Sequence, residues 1–166
     1  MMAVTRTNTA IFTGSRPVLS TIVIDNIATN IHLPDSGGIS SVVAMRLIIN
    51  NTDPEGFSLN ISSAGLGRMK AYRSGVLVSG SEAGKSLPYT ISMSGFAGVW
   101  GRTLPTLSNV SLTSSTTILC SASVVQSALN AQCNLTISAS AAAVTALLSD
   151  TTVTFEDTLV VTMSDL

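Results

Sequence analysis

The stretch "SVVAMRLIINNTDPEGFSLNISS", residues 41–63, decides the fold class. Apolar and other residues alternate through 41–51 and again through 57–63, and this period of two is typical of half-buried β-strands. Between them, "TDPEG" (52–56) supplies the Pro and Gly of a tight turn. We therefore predict two strands joined as a β-hairpin. The residues predicted to face a core are Val43, Met45, Leu47, Ile49, Phe57, Leu59 and Ile61.

The rest of the chain repeats this pattern, with short apolar or alternating stretches separated by Gly, Pro, Asn and Asp. About eight to ten strands at roughly ten-residue spacing predict an all-β antiparallel β-sandwich. The alanines and leucines of 140–150 predict one short helix, and 123–132 is predicted as a helical turn or a loop. The predicted strands are 17–25, 41–51, 57–63, 75–80, 87–95, 109–113, 116–122, 133–139 and 154–166.

The final strand, "TFEDTLVVTMSDL" (154–166), alternates almost to the last residue. Leu159, Val161 and Met163 form its apolar face. Because no further stretch follows to cover its neighbour, we expect this strand to leave a sheet edge that needs a partner.

The N-terminal stretch "AVTRTNTAIFTG" (3–14) has strand composition and a looser alternation. Gly14 and Pro17 separate it from the first strand of the body. The pattern predicts an N-terminal extension, residues 1–16, attached through a hinge to one domain, residues 17–166.

Charge and composition narrow the function. The chain is 45 % hydrophobic and only 10 % charged, with net charge −1. Eight basic against nine acidic residues give no basic field for nucleic acid. A surface so poor in charge is unusual for a free cytoplasmic protein and suits a subunit buried in an assembly. The sequence contains no apolar run of about twenty residues, so it predicts no membrane span.

No chemistry-bearing constellation emerges from the sequence. His32 is the only histidine, and no nucleophile–base or metal-ligand set accompanies it. We predict no enzyme activity, cofactor or metal.

Cys120 and Cys133 are the only cysteines in the sequence. Two cysteines at this short separation suit one disulfide, and two reduced thiols in the core are the alternative. The first residues have neither the basic nor the apolar region of a signal peptide. Two interpretations stay open: a cytoplasmic protein, or a secreted protein in its mature form.

Several stretches resemble chaperone–usher pilins, the fimbrial major subunits of Gram-negative bacteria. "AIFTGSRPVLSTI" (10–22) resembles the N-terminal region of colonisation-factor-type pilins. "VVAMRLIINNTDPEGFSLNISSAG" (42–65) and "LPYTISMSG" (87–95) resemble their central strands. "FEDTLVVTMSDL" (155–166) is similar to the C-terminal strand of pilins and of spore-coat-U-like domains, in which D-T-L precedes alternating apolar positions.

The resemblance implies an incomplete immunoglobulin-like antiparallel β-sandwich, completed by a donor strand from a neighbouring subunit. The groove would lie beside the C-terminal strand, and strand addition would fill it. The donor residues implied are Val4, Thr9, Ala10, Ile11 and Phe12. The alternatives for residues 3–14 are a strand that folds back on its own sheet and a disordered tail. The acceptor groove implied consists of Ile22, Ile24, Leu159, Val161 and Met163.

The expected function is therefore that of a structural pilus subunit at the bacterial cell surface, supporting adhesion or biofilm formation. The resemblance implies identical subunits in a helical filament as partners, with a periplasmic chaperone and an outer-membrane usher during assembly. Two alternatives stay open. One is a secreted monomeric β-sandwich that binds carbohydrate or a host protein through Trp100, Tyr72 or Tyr89. The other is a viral coat or decoration protein.

Overall fold

The computed structural model describes residues 3–5, 10–12, 18–25, 28, 34, 37–52, 56–78, 86–94, 106–114, 116–121, 128–147 and 153–166. Before residue 20 and between 116 and 129 this description covers the backbone alone. Within these residues the chain consists of antiparallel β-strands and one short helix, α1 (Ala141–Thr145). The predicted all-β fold and the helix within 140–150 are confirmed. None of the described helical residues forms a span long and apolar enough to cross a membrane.

The strands of the described residues form three sheets. The first sheet, in spatial order, consists of β1 (Ala3–Thr5), β14 (Leu159–Asp165), β5 (Gly56–Ser63) and β11 (Thr116–Ser121). The second consists of β10 (Leu107–Val110), β9 (Thr90–Met93), β12 (Ala128–Ala139), β4 (Ile39–Asn51), β3 (Val18–Asp25) and β2 (Ala10–Phe12). The third consists of β13 (Val153–Glu156), β6 (Arg68–Arg73) and β7 (Val76–Leu77), with β8 (Ser86–Pro88) also paired to β6.

The predicted hairpin between β4 and β5 is wrong. Both strands form where expected, but β4 pairs with β3 and β12, whereas β5 pairs with β14 and β11. The turn "TDPEG" therefore carries the chain from the second sheet to the first. The physical reason is that alternation shows which face of a strand is buried and does not show which strand lies beside it.

The core is one cluster of side chains supplied by both larger sheets. Leu47 and Ile49 of β4 and Phe57, Leu59 and Ile61 of β5 are all 0 % exposed, so the inward face predicted for these strands is confirmed. The two strands lie in different sheets, and both bury their apolar faces in this shared cluster.

A β-bulge modifies the predicted face of β4. The register of β4 against β12 shifts between Met45 and Val43, and both Ala44 and Met45 are buried. A bulge inserts one residue and reverses the alternation beyond it. As a result Val42, rather than Val43, packs against the core.

Four segments differ from the sequence-based expectation. The predicted strand 154–166 is divided into β13 and β14, which belong to different sheets, and the predicted strand 87–95 is divided into β8 and β9, which also belong to different sheets. Residues 128–132, predicted as a helical turn or loop, belong to the long strand β12. Strand β6 was not predicted at all, although Met69 packs against the core and Ala71 is buried. Its remaining side chains are charged or half-buried, so its apolar alternation is too weak to stand out.

Candidate functional site

The C-terminal strand β14 has the buried face that the sequence predicted. Val161 and Met163 are 1 % and 0 % exposed, and Leu159 is partly buried against the core. Val160, on the opposite face, is 44 % exposed. One edge of β14 pairs with β5 along its whole length. The other edge is the one expected to need a partner.

Strand β1 of the same chain occupies that edge. It runs antiparallel to β14, with Ala3 opposite Ser164, Val4 opposite Met163, and Thr5 opposite Thr162. Residues directly opposite each other lie on the same face of a sheet. The register therefore places Val4 across from a fully buried side chain, which is the position that a donor residue would take.

Strand β2 continues the N-terminal segment on the other large sheet. Ala10, Ile11 and Phe12 pair with Ser20, Leu19 and Val18 of β3. The segment thus adds one strand to each large sheet, and both pairings are made within a single chain. Thr9 lies outside the described residues, and donation of this segment to a neighbouring subunit stays a prediction.

The two large sheets are linked beside this segment by a partly buried polar contact. Ser20, 0 % exposed, donates its hydroxyl to Asp165 Oδ1 of β14 at 2.5 Å and accepts a hydrogen bond from Asn51 Nδ2 at 3.0 Å. The predicted groove residues on β3 lie close by in sequence: Ile22 is 1 % exposed, and Ile24 is partly buried against the core. The five predicted groove residues therefore all contribute to the core, on two strands of different sheets.

The two cysteines lie on strands of different sheets. Cys120 is opposite Phe57 in the first sheet, and Cys133 is opposite Leu47 in the second. Cys133 is 6 % exposed, whereas the side chain of Cys120 lies outside the described residues. A bond between them would link the sheets, and it stays a prediction.

A second cluster, which the sequence did not predict, centres on Asp157 between β13 and β14. Its Oδ2 accepts hydrogen bonds from the hydroxyls of Ser63 at 2.6 Å and Tyr89 at 2.5 Å. Its Oδ1 accepts from the backbone N–H groups of Gly65 and Thr158, both at 2.7 Å. Two bonds to each oxygen use the ordinary acceptor capacity of a carboxylate.

The cluster joins three separate parts of the chain. Ser63 also accepts a hydrogen bond from the Gly67 N–H at 2.8 Å, so the turn after β5 is held at both ends. Position 65 must be glycine, because a Cβ there would collide with the carbonyl oxygen of Arg68. Burial, and then the hydrogen bond to Asp157, raise the pKa of Tyr89 well above its usual range. Tyr89 is only 4 % exposed, so it cannot be the surface aromatic of a sugar-binding module.

A polar cleft of about 130 Å³ lies against this cluster. Tyr72, the other candidate tyrosine, is half-buried and lines it. Trp100 and His32 lie outside the described residues. The residues lining the cleft are Ala64, Gly65, Lys70, Tyr72, Glu156, Asp157 and Thr158.

Within the described part of the chain, no group of three or more His, Cys, Asp or Glu side chains is placed to hold a metal ion. Comparison with protein families, with curated proteins and with solved structures finds no match to this chain. The geometry of the N-terminal segment and of the cleft is therefore the basis for proposing what the chain does.

Proposed function

We propose that the chain is a structural subunit of an extracellular bacterial pilus, polymerising head-to-tail through its N-terminal segment. The observation that carries the proposal is the antiparallel pairing of residues 3–5 with residues 162–164 of the C-terminal strand. It supports the proposal because an N-terminal strand of this sequence fits the edge that a donor strand would occupy.

The finer fold proposed is an immunoglobulin-like β-sandwich that lacks its last strand. Without β1 and β2, the two large sheets would end at β14 and β3 on this side. Each edge would present unpaired backbone N–H and C=O groups, which are prone to pair with another chain. The segment 3–12 supplies the missing pairing to both edges.

The same pairing made between two copies would generate a filament. The segment is connected to the body through residues 13–17, which include Gly14 and Pro17. If it leaves its own edge and pairs with a neighbour's, donor and acceptor lie on different surfaces. Such heterologous contacts propagate without closing unless the rotation happens to form a ring. The low charge of the chain suits a surface that becomes buried in an assembly.

The resemblance to chaperone–usher pilins supplies the remaining parts of the proposal. A periplasmic chaperone would cover the open edge before assembly, and an outer-membrane usher would receive the subunit. The filament would support adhesion or biofilm formation at the cell surface.

The second candidate is a secreted monomeric binding module. The observation that favours it is that both N-terminal strands pair within their own chain. In that case the segment is an ordinary pair of edge strands, and no exchange takes place.

Cysteine crosslinking between two differently labelled variants separates these candidates. Thr5 and Thr162 are directly opposite in the register, and the Cα atoms of such a pair are about 4.5–5.5 Å apart, within reach of a disulfide. Thr5→Cys and Thr162→Cys chains are mixed in denaturant, refolded at about 1 mM and oxidised. The proposal expects a crosslinked pair containing one chain of each kind.

Matched controls identify the source of any crosslink. Ser62→Cys replaces Thr162→Cys in one mixture, because Ser62 lies on β5, one strand beyond β14, and should not crosslink to Thr5→Cys. Unmixed single variants show any crosslink through the native cysteines. If the double variant Thr5→Cys/Thr162→Cys forms only an intramolecular bond and the mixture gives none, the chain is the monomeric module. Electron micrographs showing closed shells instead of threads would identify a coat protein.

A further inference from the structure

The outer face of the third sheet forms the floor of the polar cleft. Met69, Ala71 and Phe155 lie on the inner face of β6 and β13, where they are buried or packed against the core. Since alternate residues of a strand point to opposite faces, Lys70 and Glu156 lie on the outer face. They are directly opposite each other in the register, and the next outward pair is Tyr72 with Thr154.

One end of the cleft is held rigidly. Ala64 and Gly65 on one side and Asp157 and Thr158 on the other line it, and the four hydrogen bonds to Asp157 fix their relative positions. The Ala64 N–H also donates to the Thr158 carbonyl at 3.0 Å. Because both oxygens of Asp157 are already engaged, this carboxylate supports the wall and leaves ligand contacts to its neighbours.

Lys70 and Glu156 are the groups free to contact a ligand. In the described residues neither side chain forms an ion pair or a hydrogen bond, although they are cross-strand neighbours of opposite charge. Glu156 would repel an anion and Lys70 would repel a cation. A ligand that carries a single charge of either sign therefore gains little binding free energy from this pair. A ligand with many hydroxyl groups can donate to the carboxylate and accept from the ammonium at the same time.

We infer that this cleft binds one neutral pyranose ring of a glycan. Glu156 accepts hydrogen bonds from ring hydroxyls, Lys70 donates to others, and Tyr72 provides apolar surface for the C–H face of the ring. The volume, about 130 Å³, is below the roughly 300–1,000 Å³ of sites for drug-sized ligands, so a single ring is the appropriate size. The inference does not depend on the filament, because none of the lining residues belongs to the N-terminal segment.

The test is a ligand-observed NMR titration of the full-length chain with neutral methyl pyranosides. This measurement detects binding to a monomer or to a filament alike. A contact of this size predicts a dissociation constant of about 1–10 mM. Glu156→Gln should weaken binding about tenfold, since it replaces a charged acceptor. Tyr72→Ala should also weaken it.

The matched control is Arg68→Met, compared with Lys70→Met. Both are exposed cations on β6, but Arg68 does not line the cleft, so only Lys70→Met should weaken binding. Glycine and inorganic phosphate serve as charged probes. The inference is overturned if no pyranoside binds, if Glu156→Gln binds pyranosides as well as the original chain does, or if a charged probe binds and the pyranosides do not. Because Glu156 is exposed, Glu156→Gln gives a folded variant even if Tyr72→Ala does not fold.

Discussion

Replacing Asp157 by alanine should destabilise the fold more than replacing any other exposed or half-buried residue near the cleft. The change removes the acceptor for two side-chain hydroxyls and two backbone N–H groups. Ser63 and Tyr89 are 7 % and 4 % exposed, so water cannot readily replace the lost carboxylate at either hydroxyl.

The magnitude follows from these orphaned donors. Leaving a buried donor without an acceptor costs about 1–3 kcal/mol. The two buried hydroxyls alone therefore predict a loss of about 2–6 kcal/mol in the free energy of unfolding, and the half-buried Gly65 N–H adds a smaller cost. A domain has about 5–15 kcal/mol in total, so Asp157→Ala would be among the most damaging single substitutions. Asp157→Asn keeps one carbonyl oxygen and should lose roughly half as much.

Urea unfolding followed by circular dichroism measures this loss. With a slope of about 2 kcal/mol per molar urea, the midpoint should fall by roughly 1–3 M for Asp157→Ala. Glu156→Ala is the matched control, because Glu156 is the neighbouring acid, is exposed and should change stability by less than about 0.5 kcal/mol. Equal midpoints for the two variants would refute the role given to Asp157. If Asp157→Ala does not fold, Asp157→Asn supplies the comparison.

Three further predictions concern the core, the turns and pH. Met163→Ala should cost about 2–5 kcal/mol because it opens a cavity, whereas exposed Val160→Ala on the same strand should cost about 0.5 kcal/mol, as compared by urea midpoints. The pKa of Tyr89 is raised in the folded state, so its contribution to the free energy of unfolding is complete below its unfolded pKa of about 10 and falls as the pH rises beyond that value. Tyr89→Phe should remove this alkaline dependence of the urea midpoint. Gly67→Ala and Gly75→Ala both force a side chain into positive φ, at about 1–2 kcal/mol. Gly67→Ala should cost more in thermal unfolding, because its Cβ would lie 3.1 Å from the Leu112 nitrogen, while Gly75 has open space.

Local periodicity predicted most of the strands and the buried faces of β5 and β14, but it missed β6 and the bulge in β4. Phe57, Leu59 and Ile61 alternate with polar residues, and burial of this face is the physical requirement that selects such a pattern. The pairing of strands was not predictable in the same way. A short turn usually joins neighbouring strands, and only the three-dimensional arrangement shows that "TDPEG" joins two different sheets.

The Asp157 cluster could not be predicted from spacing. Its hydroxyl donors, Ser63 and Tyr89, lie 94 and 68 residues away in sequence, and a single aspartate followed by Thr-Leu carries no local signal of such partners. In the sequence, the D-T-L stretch is informative only through its resemblance to the C-terminal strand of pilins. In the structure, Asp157 has a stabilising role, because its hydrogen bonds fix the start of β14 to the turn after β5.

The pairing of the N-terminal segment within its own chain bears directly on how assembly would proceed. An exchanged segment makes the same backbone contacts in a neighbour, so those contacts cancel between the closed and the exchanged forms. The remaining difference is the concentration of the strand at each edge. A strand tethered by a short connection has an effective concentration of about 1 mM at its own edge. At about 1 μM subunit, self-pairing is then favoured roughly a thousandfold over exchange with a neighbour. A subunit of this kind would stay closed in dilute solution. A chaperone that holds the edge open until another subunit arrives would remove this preference for self-pairing.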